Sequence, residues 1–456
     1  MISQDLARFI NEAQYEDLSE QAVTQLKMRL LDSLGTAIGA IEGSPVRAIR
    51  RMIDDLGGAG TCTLIGGGRT SADRTALYNT ALIRYLDYND GYLAKGETCH
   101  PSDNIGSLLA AGEYANVTGK TFLTALAVAY QVQCRLSDEA PVRDKGFDHT
   151  TQGSYAVAAG VSKSFGLNNE ETANALAIAG TALNALRVTR TGALSNWKGL
   201  AYPFTAFGGM SAALLAKYGI SGPLAVFEGN KGFMDAISGT FSIDWLNEDL
   251  ERVTKTILKK YNAEIHSQSS IEAMLELKNK YGFNGDNVKR IEIEIFDVAY
   301  NIIGGGEEGD KTIVHKKEEA DHSLQYMVAA ALLDGKVTPE QYKPDRIEQK
   351  DIQSLLQRVN VTPNQEFSAR FPEEMPVRLT VLLKNGEKYQ IEKYDYEGFT
   401  THPMSWETAI KKFNELTNHH VDKDLSEHIV EMVRNFEKYN VTDLMDLLQD
   451  VKVRPQ

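Results

Sequence analysis

The densest concentration of groups able to do chemistry is Asp87-Tyr-Asn-Asp90, followed by His100-Pro-Ser-Asp-Asn104. Carboxylates set close to an imidazole suit proton transfer, because an aspartate beside a histidine raises the imidazole pKa and fixes its orientation. The segment follows an apolar stretch, Ala81-Leu-Ile-Arg-Tyr-Leu86, and precedes another, Ile105-Gly-Ser-Leu-Leu109. A polar loop hung from two core helices is a common way to hold reactive groups. Ser102 and Asp103 also read as a helix start, whose side chains and backbone amides can cap a helix or hold an anion. Caps and turn-formers use the same residue types, so composition alone leaves both readings open.

Four further clusters follow. They are Lys145-Gly-Phe-Asp148-His149-Thr-Thr151, then Arg187 through Arg190 and Ser195 to Lys198, then Lys259 to His266 and Gln268, and Asp321-His322-Ser-Leu-Gln-Tyr326. The second of these packs Arg187, Arg190 and Lys198 among several hydroxyls. That matters because the net charge is −14. Such a chain is a poor partner for nucleic acid or an anionic membrane, and to bind a small anion it must gather cations locally. Taken singly, each histidine is more often a structural residue than a catalyst. Five polar clusters together suggest a cleft.

Several chemistries are disfavoured. Gly66-Gly-Gly68 and Gly304-Gly-Gly306 lack the spacing that cradles phosphates and read as turns. There is no HExxH, GxSxG or EF-hand loop, and no metal-ligand spacing that would support a metal cofactor. Cys62, Cys99 and Cys134 are too few and scattered for a disulfide framework and form no CxxC pair. A reduced compartment is expected, cytoplasmic or mitochondrial-matrix. The N-terminus has no signal-like apolar run, and the apolar run around Leu123–Val132 is too short for a membrane span.

With 456 residues, two domains are expected. Residues 1 to about 265 read as successive helices: Asp17–Ala40 up to a break at Gly43-Ser-Pro45, then Ala76–Leu86, Ile105–Tyr114, Phe122–Arg135, Ser154–Phe165, Glu170–Leu186 and Thr205–Lys217. Small residues such as Gly160 and Gly180 predict close helix–helix approach. Period-two alternation in Arg290–Phe296 predicts a strand. Val377–Leu383 and Lys388–Glu392, joined through Asn385-Gly386, predict a hairpin with a type I′ turn. Val359–Val361 offers a further strand, and Asp321–Leu333 reads as helix. The expected fold class is mainly α: a large all-helical domain, 1–266, completed by C-terminal helices in 401–456, plus a smaller α+β domain at 267–400.

DYND…HPSDN, GFDHTT, TRTGALSNWKGLA, YNAEIHSQ and EADHSLQYMVAAALLDG together resemble the MmgE/PrpD family. The resemblance covers nearly the whole chain, in order. That family includes 2-methylcitrate dehydratase, cis-aconitate decarboxylase and iminodisuccinate epimerase. The resemblance implies a helical domain with an α+β lid, a homodimer, and a site between the domains with neither metal nor iron–sulfur cluster. It carries catalytic roles over to Asp90, His100, His149, Lys198 and Tyr326, and substrate binding to Arg187, Arg190, His266, Ser102 and Asn104. HPSDN and the RTG…LS…WKG pattern are similar to the dehydratase branch. Departures at Ala193, at Gly91–Lys95 and at Asn262 bear on substrate identity, and Lys259 and Lys260 compete for one lysine position.

Those expectations amount to a hydro-lyase for a small tricarboxylate, with no cofactor. Lys198 with Arg187 or Arg190 would hold carboxylates, and His100, tuned by Asp90, would share the proton transfers with His149. The rivals are cis-aconitate decarboxylation or epimerisation within the same family, and a carboxylate-binding protein without turnover.

Overall fold

The computed structural model describes residues 1–192 and 194–453; Ala193 lies outside them. The chain divides into two units. The first comprises Met1–Arg190, Gly199–Thr256 and Ser405–Gln456; the second comprises Thr191–Lys198 and Ile257–Met404.

Helices dominate the first unit. Helix α1 (Glu20–Gly39) starts where the Ser19 hydroxyl accepts from Ala22 N, and buries Leu26, Leu30, Leu31, Leu34 and Ile38. Such a cap satisfies one of the amides left unpaired at a helix start. It packs against α2 (Ala72–Tyr85). The unit's other long helices include α3 (Ile105–Tyr114), α4 (Gly119–Glu139), α5 (Thr150–Phe165) and α6 (Asn169–Ala182), of which α4 also meets α1. Glycines set the spacing as expected. A Cβ at Gly160 would stand 2.7 Å from Leu108, and one at Gly180 would stand 2.3 Å from the Tyr155 ring.

Three expectations need correction here. Helix α6 stops at Ala182 and not Leu186, because the Asn184 amide turns back to donate to Gly180 O. The next helix, α7 (Trp197–Lys217), begins eight residues before the expected Thr205 and runs through Pro203. Burial of Ala201, Tyr202, Ala206, Met210 and Ala213 outweighs the hydrogen bond that proline removes. Residues 218–256 are not helix after helix: they form irregular chain with short single turns, where Gly219, Gly222, Gly229, Gly232 and Gly239 interrupt any longer helix. Tyr155, Phe227, Phe233 and Phe241 supply their core. Two short hairpins complete the unit, at 62–70 and 92–99.

Helix α7 has the length and composition of a membrane span, yet more than half of it is buried in the protein. Its burial marks it as a core helix with one face outward.

The second unit is built on helix α8 (Gln268–Tyr281) and a sheet of β1 (Val288–Ile295), β2 (Val359–Pro363), β3 (Val377–Leu383) and β4 (Lys388–Lys393), in the order β2-β1-β3-β4. Strands β1 and β2 are parallel and the other pairs antiparallel. Ile291, Ile293 and Ile295 form the buried row of β1, as the alternation predicted. The β3–β4 turn is not type I′. Leu383 pairs with Glu387, so three residues lie in the loop, and only Gly386 has positive φ (92°). That is a type I turn closed by a glycine bulge. Helix α9 (Leu324–Asp334) begins after Asp321 and His322, because the Ser323 hydroxyl caps it by accepting from Tyr326 N.

One contact ties helix α10 (Trp406–Thr417) to the Asp87–Asp90 loop. The buried Lys412 Nζ donates to Tyr88 O at 2.8 Å, pairs with Asp32 at 2.7 Å and lies 3.7 Å from the Tyr88 ring centre. Removing one partner of a buried ion pair costs about 3–5 kcal/mol. Lys412→Met is therefore expected to lower the thermal unfolding midpoint by several degrees, and adding Asp32→Asn is expected to recover part of the loss. An unchanged melting curve for Lys412→Met would show that this anchor does not stabilise the loop.

Candidate active site

In the first unit the loop from α2 to α3 is held by buried charge. Asp87 sits in the left-handed region (φ 55°), where a non-glycine residue needs outside support. Arg84, at the end of α2, supplies it with a 2.6 Å bond to Asp87 and also faces Asp103 at 3.4 Å. Asn89 donates to Ser102 Oγ (2.8 Å) and to Asp103 Oδ1 (2.7 Å).

The Asp90 carboxylate does not meet His100. Oδ1 accepts from Ser102 N (3.0 Å) and Ser102 Oγ (2.6 Å), and Oδ2 accepts from the Tyr130 hydroxyl (2.7 Å). Both oxygens are thereby engaged inside the protein, and burial raises the Asp90 pKa. His100 instead lies with Nδ1 2.6 Å from the Asp90 main-chain oxygen. A carbonyl only accepts, so Nδ1 carries the proton and Nε2 is the basic atom of the neutral ring. The tuning expected from the Asp90 side chain comes from its backbone.

Ser102 and Asn104 are fully buried. Asn104 donates to Pro101 O and Gln133 Oε1, and Tyr202 shares its hydroxyl proton between Asn104 Oδ1 and Gln133 Oε1. These two side chains hold the loop's shape.

His149 stands at the start of α5, with its ring 5.6 Å from that of His100, edge to face, and 6.4 Å from that of Tyr202. Its Nδ1 lies 3.3 Å from the Asp148 carboxylate, and its buried Nε2 has no hydrogen-bond partner among the described residues. Arg190 grips Asp148 with two bonds (2.8 and 3.4 Å), and Arg187 stands 4.0 Å away. Burial pushes Asp148 upward, but Arg190, His149 and Arg187 together hold it far below the carboxylate range. Burial is also the main influence on His149. With Arg190, Arg84 and Arg187 it outweighs Asp148 and lowers the imidazole to about 3. His149 is therefore neutral at pH 7, with its Nε2 lone pair facing no donor.

In the second unit Lys198 lies in the first turn of α7, where Lys198 N bonds Ser195 O. Its Nζ reaches Asp321 Oδ1 (3.2 Å) and His322 Nδ1 (2.9 Å), while Lys317 Nζ takes Asp321 Oδ2 at 2.7 Å. Those cations hold Asp321 well below its ordinary pKa against the burial that raises it. Nearby, Glu264 N donates to Asp321 O, and the Glu264 carboxylate takes His266 Nδ1 (2.7 Å) and His266 N (2.8 Å). Burial raises Glu264, but His266, His322 and Lys259 bring it down to about 2. The His266 ring packs against Phe296 and Phe371, and its Nε2 is unpartnered among the described residues. Burial lowers the Lys311 pKa, against Glu308, Glu264 and Asp321, which raise it.

Tyr326 lies within α9 of the second unit. Its hydroxyl donates to Gln341 O, and its ring lies 6.1 Å from that of Tyr342.

Sequence reasoning passed over Asp148, Asp321 and His322 as site residues. The signal was present as two Asp-His dipeptides, 148–149 and 321–322. An aspartate cannot be known to face its neighbouring histidine until the turn between them is known.

The first unit thus holds a histidine pair over a buried carboxylate, and the second a cluster of lysines and histidines about Asp321 and Glu264. The MmgE/PrpD N-terminal domain profile matches residues 4–246, and the MmgE/PrpD C-terminal domain profile matches 261–438. The chain belongs to this family. It is 28% identical over 394 residues to the 2-methylcitrate dehydratase of Escherichia coli strain K12, covering 81% of this chain and 80% of that protein. The mitochondrial 2-methylcitrate dehydratase of Yarrowia lipolytica is 28% identical over 84% of this chain and 77% of its own length. The cis-aconitate decarboxylase of Mus musculus is 24% identical over 96% and 91%.

The low His149 pKa has a consequence for stability. The unfolded chain binds its proton near pH 6.5 and the folded chain only near 3, so the contribution is complete above 6.5 and is lost as pH falls toward 3. His149→Gln, which cannot titrate, is expected to lose less thermal stability than wild type from pH 6.5 to 4. Parallel melting curves over that range would contradict the assignment.

Proposed function

We propose that this chain is a hydro-lyase of the 2-methylcitrate dehydratase type. The observation that carries the reading is the His100–His149 pair, with the Nδ1 of both rings facing acceptors and His149 Nε2 neutral. Membership of the family and the names of the relatives support the same reaction class.

In the dehydration a C–H bond alpha to one carboxylate breaks, its electron pair becomes the new C=C bond, and the adjacent hydroxyl departs with a proton as water. The carbon acid is weak, so a placed base and cations against the carboxylates are both required. His149 enters the reaction unprotonated and takes the proton. A proton delivered through His100 Nε2, the ring fixed by its Nδ1–H on the Asp90 main-chain oxygen, leaves with the hydroxyl. In the first unit Arg187 and Arg190 are cations for a substrate carboxylate, and in the second Lys198, with His266 as a polar group, offers the same. Citrate would undergo the same loss of water to cis-aconitate. None of these steps calls on a metal.

His100→Ala and His149→Ala are each expected to lower kcat/KM for 2-methylcitrate by about 10²–10⁴, the usual worth of a general acid or base. The assay is ultraviolet absorbance of the conjugated product with product identification. Rates within tenfold of wild type for both variants would refute the assignment. Carbon dioxide release from cis-aconitate, or racemisation, would move the chain to the decarboxylase or epimerase chemistry of the family. Tight binding without turnover would make it a carboxylate-binding protein.

We also propose that two copies pair through the outer face of α7. Trp197, Phe204 and Leu215 fall on one side of the helix and are about half exposed, with Tyr218 just beyond them. Large apolar residues at helical spacing without charge make a self-complementary surface, the form that a two-fold interface needs. Phe204→Asp is expected to yield monomers by light scattering. A wild-type monomer at micromolar concentration would end this proposal.

A further inference from the structure

Asp321 and His322 precede α9 in a turn, and the His322 ring has an unusual pair of neighbours. Its Nδ1 is 2.9 Å from the Lys198 ammonium, which can only donate, and 2.7 Å from Asp321 Oδ1, which can only accept. One ring atom cannot serve both. Carrying a proton, it satisfies Asp321 and points that proton at Lys198; carrying a lone pair, it satisfies Lys198.

The surroundings decide between these states. Asp321 is fully buried, but each of its oxygens already has a lysine, Lys198 on Oδ1 and Lys317 on Oδ2. It does not need the imidazole proton to remain an anion. The Lys198 side chain is only 4% exposed, and a buried ammonium must have its N–H groups met by acceptors. A proton on Nδ1 would set two N–H donors against each other across 2.9 Å, with no acceptor between them.

We propose that His322 is a positioning residue for Lys198. Its Nδ1 accepts from the ammonium, the ring is thereby held as the neutral Nε2–H tautomer, and Asp321 and His322 together set the direction in which Lys198 presents its charge to a substrate carboxylate. Asp321 supplies attraction and His322 supplies direction. An ion pair alone would leave the flexible lysine free to turn about the carboxylate. This inference rests on the reading of Lys198 as a carboxylate-holding residue.

Two measurements test it. In protein labelled with ¹⁵N at its nine histidines, the His322 ring is identified by its loss in His322→Asn. At pH 8 the wild-type spectrum is expected to show Nδ1 unprotonated and Nε2 protonated. In Lys198→Met the proton is expected to move to Nδ1, facing Asp321. A protonated Nδ1 in the wild type overturns the proposal, as does an unchanged tautomer in the lysine variant. This measurement needs no turnover, so it stands even if wild type proves inert toward 2-methylcitrate, an outcome that would sink only the proposed function. In kinetics, His322→Leu is expected to raise KM for 2-methylcitrate at least tenfold, and His322→Asn, which keeps an acceptor near the Nδ1 position, to recover most of that loss. Equal KM values in wild type and both variants overturn the proposal.

Discussion

A carboxylate taken out of water must find its hydrogen bonds inside the protein or surrender its charge, and three buried aspartates here meet that demand in two ways. Asp90 is met by a hydroxyl pair and one amide, and its pKa is raised. Asp148 and Asp321 are met by cations and are held far down. The difference is one of charge. Asp90 shapes a loop, whereas the other two are permanent anions able to orient an adjacent histidine and a bundle of basic side chains.

That division explains how an acidic chain gathers buried cations in two places. Arg187 and Arg190 gather around Asp148, and Lys198 and Lys317 gather around Asp321. Each aspartate lets basic side chains be buried close together without mutual repulsion dominating. The acidic surplus carried on the rest of the chain does not enter this local balance.

Rigidity comes from the helices. His149 at the start of α5 is fixed by the close packing of α5 on α4 and α6, made possible by glycine and alanine at the contacts. Lys412 and Arg84 fasten the Asp87–Asp90 loop by main-chain and ionic contacts. Reactive groups on loops then inherit the precision of the helical core beneath them.

Much of this was legible in the residue order. Hydrophobic periodicity located most of the helices and the sheet strands, since burial imposes 3.6- and 2-residue periods directly on composition. The polar clusters at 87–104, 145–151, 187–198, 259–268 and 321–326 marked where chemistry could lie, because uncompensated polar groups are rare beside core helices. Helix ends were less legible. The cap at Ser323, the Asn184 amide on Gly180 O and the run of α7 through Pro203 depend on contacts that local propensity does not contain. Pairing within the clusters was decided by tertiary structure alone. Asp90 and His100 lie in one motif, yet the carboxylate turns to Tyr130 on another helix and leaves His100 to the backbone. Lys198 finds His322 from a distant part of the chain. A hydrogen bond needs ångström placement and a defined direction. The order of residues therefore determined which chemical groups this protein owns, and the packing of its helices decided which of them meet.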